Sequence, residues 1–127
     1  SRFLALALKG EDITIYGDGS QTRTFTYIDD NIDTIAIIMN KKLLENDVIN
    51  IGSDKLMTVL ELANLVIQLT NSKSQIVHIP ALKEGDMTRR QPDNTKMKEI
   101  LGRELITVEE GIKRMMNSEK YLQSIGL

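Results

Sequence analysis

The apolar positions change period along the chain, and the changes mark the elements. Ile13 and Ile15 alternate with Thr14 and Tyr16, the period-two pattern of a half-buried strand. Gly17-Asp18-Gly19-Ser20 then supplies residues that tolerate a tight turn. A second run from Thr24 to Ile28 alternates Phe25 and Tyr27 with threonines, which predicts another strand. Asp29 or Asp30 is placed to cap a helix carrying Ile32, Ile35, Ala36, Ile38 and Met39. Further on, Thr58 and Glu61 form a capping box, and Leu62, Val66 and Leu69, widened by Val59, Ala63 and Ile67, predict a broadly buried helix. Gln75 to Ile79 alternates like an exposed or edge strand ended by Pro80. Pro92 forces Gln91 out of helical geometry, and Asp93 caps a helix with Met97, Ile100 and Leu101 on its inner side. Thr107 repeats the start signal for a last helix faced by Val108, Ile112, Met115 and Leu122.

Composition narrows this picture. With 127 residues, 41% of them hydrophobic, the chain makes one domain with a modest core. The absence of cysteine excludes a disulfide scaffold, a thiolate metal site and a cysteine nucleophile. A net charge of -2, with both signs mixed along the chain, argues against nonspecific nucleic-acid binding. No apolar run approaches the ~20 residues of a membrane helix, so a cytoplasmic protein is expected. His78 reads as a strand surface residue, and Met115 and Met116 as core fillers with no metal role.

The chemistry-bearing candidates are cationic. Arg23 follows the 17–20 turn, where an anion could be met; an ordinary turn followed by a solvated arginine fits the same residues. Arg89 and Arg90 share a loop, and adjacent side chains of an extended segment diverge, so one of them at most reaches a given phosphate. No glycine-rich strand-to-helix fingerprint for a dinucleotide is present. No Tyr-x-x-x-Lys pair exists either: Tyr16, Tyr27 and Tyr121 are followed four residues on by Ser20, Asn31 and Ile125.

The segment from Tyr16 to Asp30, with Gln21-Thr22-Arg23 at its centre, resembles the sugar-nucleotide epimerase/dehydratase/decarboxylase branch of the extended short-chain dehydrogenases. A second stretch agrees with that family in register, through Asp86, Arg90, Pro92, Asp93, Lys96, Lys98, Leu101 and Gly102. Weaker matches are Val48 to Gly52, similar to a family strand, Glu110-Gly111-Ile112, and a first helix from Ser1-Arg2-Phe3-Leu4 to Glu11. Met87 and Arg103 depart from the pattern, proline and tryptophan being commoner there.

The resemblance implies an α/β fold of short strands with three to five helices. Residues 1–127 would be a single C-terminal substrate-binding part of an extended short-chain dehydrogenase, without its NAD-binding Rossmann domain. It further implies that Arg23 and Arg90 grip the diphosphate of a UDP- or dTDP-sugar, with Thr14, Tyr16 and Gln21 near the nucleoside and Phe3 in the same substrate-binding set. The longer enzyme would use NAD and form a homodimer; this chain would bind no NAD and hold no catalytic or metal residue. UDP-glucuronate decarboxylases are the nearest reaction type, with epimerases next. The alternative is a stand-alone nucleotide-binding module or a degenerate interaction domain. The apolar run Ile32 to Met39 is too hydrophobic for a solvent-facing helix and is expected against the nucleotide-binding domain or, failing that, against another copy.

Overall fold

The computed structural model describes residues 2–81 and 91–127. In chain order the elements are α1 (Arg2–Lys9), β1 (Ile13–Tyr16), β2 (Thr22–Thr24), α2 (Ile28–Lys41), β3 (Leu56–Thr58), α3 (Val59–Thr70), β4 (Ile76–Ile79), α4 (Thr95–Leu101), α5 (Val108–Met116) and α6 (Glu119–Ser124). Six helices stand where three to five are expected, because the final helical run divides at Asn117 and Ser118. There the Ser118 hydroxyl accepts the Tyr121 amide and starts α6 afresh.

The strands form two small sheets. β1 and β4 pair in parallel, from Ile13 opposite Ile76 to Tyr16 opposite Ile79, and β2 and β3 pair antiparallel with Arg23 opposite Met57. The inward face of β1 carries Ile13 and Ile15, both buried, which meet Leu4 and Ala7 of α1, Ala63 and Val66 of α3, and Ile112 of α5. That cluster is the core. α3 starts with the complete capping box, Thr58 Oγ1 accepting the Glu61 amide at 3.0 Å and Glu61 Oε2 accepting the Thr58 amide at 2.7 Å.

Three expectations shift. The second strand is Thr22–Thr24 rather than Thr24 to Ile28, because β3 is short and its ladder ends where Thr24 meets Leu56. Residues 48–52 are not a strand: among the described residues no ladder partner lies beside them, and Val48 is 80% exposed. The cap of α2 falls on Tyr27, with no side-chain bond. Asp30 is instead drawn fully inside, where Oδ1 accepts Arg103 Nη1 at 2.6 Å and Oδ2 accepts the Ile106 amide at 2.9 Å. No described helix is long and apolar enough to cross a membrane.

Candidate functional site

β1, the 17–20 turn and β2 form one continuous ribbon that carries four of the sequence-predicted residues. Because Ile13 and Ile15 point into the core, Thr14 and Tyr16 take the opposite face. Asp18 Oδ1 accepts both the Ser20 amide, at 2.9 Å, and the Ser20 hydroxyl, at 2.7 Å, closing the turn on itself. These bonds, the amide first, hold the Asp18 carboxyl below its ordinary range. Gly19 is required here: its φ is +78°, and a Cβ would meet Leu60 Cβ at 3.1 Å and Ile15 Cγ2 at 3.2 Å. The turn also bonds to α3 through the Leu60 amide and the Gly19 carbonyl.

Gln21 folds back, Nε2 donating to the Tyr16 carbonyl at 3.3 Å, so its side chain and Tyr16 are directly joined. Arg23 is half-buried at the middle of β2 and donates from Nη1 to the Thr22 carbonyl at 2.7 Å. Arg2 Nη2 donates to Thr14 Oγ1 at 3.2 Å. Phe3 lies apart from this group: it packs against the core and, with Phe25 and Tyr27, lines an apolar cavity of about 190 Å³ between α1, α3 and α5. Arg89, Arg90, Asp86 and Met87 lie outside the described residues.

Residues 50–54 tie the run after Arg23 to the run that follows Arg90. The Ser53 amide donates to Thr26 Oγ1 at 2.7 Å, Gln91 Nε2 to the Asp54 carbonyl at 2.7 Å, and Asn94 Nδ2 to the Gly52 carbonyl at 2.8 Å. Asn94 is only 3% exposed. Of the two lysines of the α4 motif, Lys98 pins the same stretch at Asp54 and Lys96 reaches Asp47 just before it, each at 2.7 Å. Those bonds hold both aspartates below their ordinary range. The cap of α4 falls on Asn94 rather than the expected Asp93, with no side-chain cap bond; Asp93, one residue earlier, accepts the Thr95 hydroxyl at 2.7 Å and the Thr95 amide at 3.0 Å, because the buried Asn94 side chain is turned to the Gly52 carbonyl. Sequence reading missed Thr26, Ser53 and Asn94, since small polar residues in loops carry no periodic signal.

Arg103, one of the two departures from the expected pattern, has a defined task. Its two terminal nitrogens reach Asp30 Oδ1 and Asp33 Oδ2, each at 2.6 Å, fastening the segment between α4 and α5 to the first turns of α2. Those carboxylates, Asp33 first, hold the guanidinium above its ordinary value. Next to them Arg114 bonds Glu110 at 2.9 Å and lies 5.6 Å above the Tyr27 ring. His78, exposed on β4, donates from Nδ1 to the Gly17 carbonyl at 2.8 Å and so also braces the turn.

Residues 1–52 match the NAD dependent epimerase/dehydratase family. The chain is 41% identical over 104 residues to a UDP-N-acetyl-alpha-D-glucosaminuronate decarboxylase of Bacillus cytotoxicus, covering 78% of this chain and 32% of that protein. It is 38% identical over 115 residues to UDP-glucuronic acid decarboxylase 1 of Danio rerio, covering 90% of this chain and 27% of that one. Its fold superposes on the UDP-glucose 4-epimerase of Thermotoga maritima, solved with UDP-glucose, with a TM-score of 0.80 and 33% identity, covering 97% of this chain and 38% of the epimerase. The chain thus spans about a third or less of the length of the curated relatives it matches.

Proposed function

We propose, from the chain's place in the NAD-dependent epimerase/dehydratase family, that it is the substrate-binding part of a longer sugar-nucleotide-modifying enzyme, of the UDP-uronate decarboxylase kind. Its own task is to hold the diphosphate and nucleoside of a UDP- or dTDP-sugar. The observation that carries this reading is the self-bonded 17–20 turn, braced by α3 and β4, which joins β1, carrying Thr14 and Tyr16, to β2, carrying Arg23, with Gln21 bonded to the Tyr16 carbonyl between them. A planar guanidinium at that point offers forked donors to phosphate oxygens and keeps its charge at every working pH. Arg90 would supply a second clamp. Residues 50–54 support that pairing, since they brace both the run after Arg23 and the run that follows Arg90.

The described residues do not fit a dinucleotide. The one described strand that runs directly into a helix, β3 into α3, has no glycine at the junction, and its cap is filled by Thr58 and Glu61, leaving no open cradle of amides for a pyrophosphate. Hydride transfer and the acid/base chemistry at the sugar therefore belong, in this reading, to the rest of the longer enzyme. What these residues do is bind and orient the substrate, so that the reacting carbon is presented in one geometry.

The test is made in the longer enzyme. Replacing Arg23 or Arg90 by alanine removes a charge-assisted contact, and each loss is expected to weaken UDP-sugar binding by roughly 1.5–3 kcal/mol, about ten- to a hundredfold. Lysine rescues only in part, because it keeps the charge and loses the fork. Arg89→Ala is the internal control and stays within a few-fold of wild type. A critical Arg89 with a dispensable Arg90 would overturn the register of that loop. Unchanged UDP-sugar binding in the Arg23 variant would overturn the reading itself. Calorimetry on the 127-residue chain is expected to give no saturable NAD binding.

A further inference from the structure

The turn that joins β1 to β2 is anchored at both ends, and the two anchors differ in kind. On the β2 side the backbone of α3 holds it: the Leu60 amide donates to the Gly19 carbonyl and the Val59 amide to the Gln21 carbonyl, each at 3.1 Å. On the β1 side the ladder with β4 closes where the Gly17 amide donates to the Ile79 carbonyl at 2.8 Å. Pro80 follows and has no amide to offer. The Gly17 carbonyl is met by a side chain, His78 Nδ1 donating to it at 2.8 Å.

Gly17 is the soft joint of the ribbon. Its φ is +66°, and a glycine has more backbone freedom to lose than any other residue. A bond to its amide restrains the dihedral before the α-carbon, and a bond to its carbonyl restrains the one after it. With both made, the peptide from Gly17 to Asp18 has one orientation, and from there Asp18 closes on Ser20. His78 is exposed, so packing does not account for its place.

The residues on either side of this joint are those assigned to the two ends of a nucleotide. Thr14 and Tyr16 precede Gly17 on β1, at the nucleoside in that reading, and Arg23 follows on β2, at the diphosphate. A ligand that meets both groups at once needs their separation fixed beforehand, because ordering a loose joint on binding costs affinity. We propose that His78 is a positioning residue for sugar-nucleotide binding: it locks the Gly17 carbonyl and thereby holds Thr14 and Tyr16 at the distance from Arg23 that a nucleoside diphosphate spans. His78 so placed touches no substrate itself, and its role rests on the substrate-binding reading of the same ribbon.

The experiment is calorimetry on the longer enzyme, with UDP and dTDP titrated separately as probes and NAD titrated in parallel. His78→Ala is expected to weaken nucleotide binding about three- to tenfold, the range of one neutral hydrogen bond. His78→Asn is expected to restore it to within about twofold, since Asn Nδ2 stands as far along the side chain as His Nδ1 and also donates. In an Arg23→Ala background the diphosphate contact is already gone, so His78→Ala should cost less than about twofold there. NAD affinity should stay unchanged in both His78 variants. Wild-type nucleotide binding by His78→Ala, alongside a loss in Arg23→Ala, would overturn the inference and leave the substrate reading standing. Equal loss in both backgrounds would also overturn it, as would failure of asparagine to restore binding or a matching loss of NAD affinity. Binding of neither nucleotide, or binding indifferent to Arg23→Ala, would overturn the substrate reading and this inference with it.

Discussion

Gly111→Ala should destabilise the chain although it places a better helix former inside α5. A glycine-to-alanine change within a helix ordinarily gains about 1 kcal/mol from reduced freedom of the unfolded chain. At this position, however, the new Cβ would stand 2.9 Å from Tyr27 Cδ2, 3.4 Å from Cγ and 3.5 Å from Cβ, the first distance closer than real Cβ contacts come. The ring is held at its backbone anchor and on one face. Tyr27 is the cap residue of α2, fixed at φ -75° and ψ 140°, and Arg114 lies over its face. Overpacking of this kind costs about 1–3 kcal/mol. Taking the middle of that range against the propensity gain leaves a net loss of about 1 kcal/mol, a fall in Tm of roughly 3–5 °C for a domain of this size. The decisive measurement is a double-mutant cycle by urea denaturation followed by circular dichroism. In a Tyr27→Ala background the clash is gone, so Gly111→Ala should turn stabilising by about 1 kcal/mol, giving a coupling of about 2 kcal/mol. If Gly111→Ala stabilises the wild type, or has the same sign in both backgrounds, close approach is not why glycine stands there.

Two further outcomes follow from the bonding network. The carboxyls of Glu61, Asp18, Asp47, Asp54 and Asp93 all sit below their ordinary values, Glu61 chiefly through the Thr58 amide and Asp93 chiefly through the Thr95 hydroxyl. A group depressed in the folded state contributes stability that is complete above its unfolded value, 4.5 for Glu61, and lost as pH falls through the folded one. Stability should therefore drop on acidification below that value, and Glu61→Gln should flatten part of the acid limb of a pH-dependent unfolding series; an unchanged limb would refute the assignment. Asp30→Asn should leave α3 and the β1–β4 sheet intact but release the segment between α4 and α5, read as faster hydrogen exchange at the Ile106 amide, whose acceptor is Asp30 Oδ2. Exchange at Ile106 as slow as in the wild type would refute that role.

The sequence by itself determined the parts whose cause is local. Alternation at Ile13 and Ile15 specifies a strand with a buried face, the Thr58 and Glu61 pair specifies a helix start, and Pro92 with Asp93 locates another to within one residue of its cap, Asn94. The helix starts depend on a backbone that bonds to its near neighbours, so the residues needed lie within a few positions of one another; in β1 the alternation records which face is apolar, while its ladder comes from the distant β4. The Arg23 turn was legible for the same reason, because Asp18 and Ser20 close it within three residues.

Tertiary structure alone decided the features that join distant segments. Whether a strand-like run becomes a strand depends on a ladder partner, which Thr22–Thr24 finds in β3 and residues 48–52 do not find among the described residues. Asp30 read locally as a cap, yet a buried carboxylate must be compensated, and Arg103 and the Ile106 amide, more than seventy positions away, offered stronger partners than the helix start. Asn94 and Ser53 carry no pattern at all until residues 50–54 lie between the segments that follow Arg23 and Arg90. Periodicity records which face of an element is apolar; only the folded chain settles which face is inside, and in α2 the bonds of Asp30 and Thr34 turned the polar one inward.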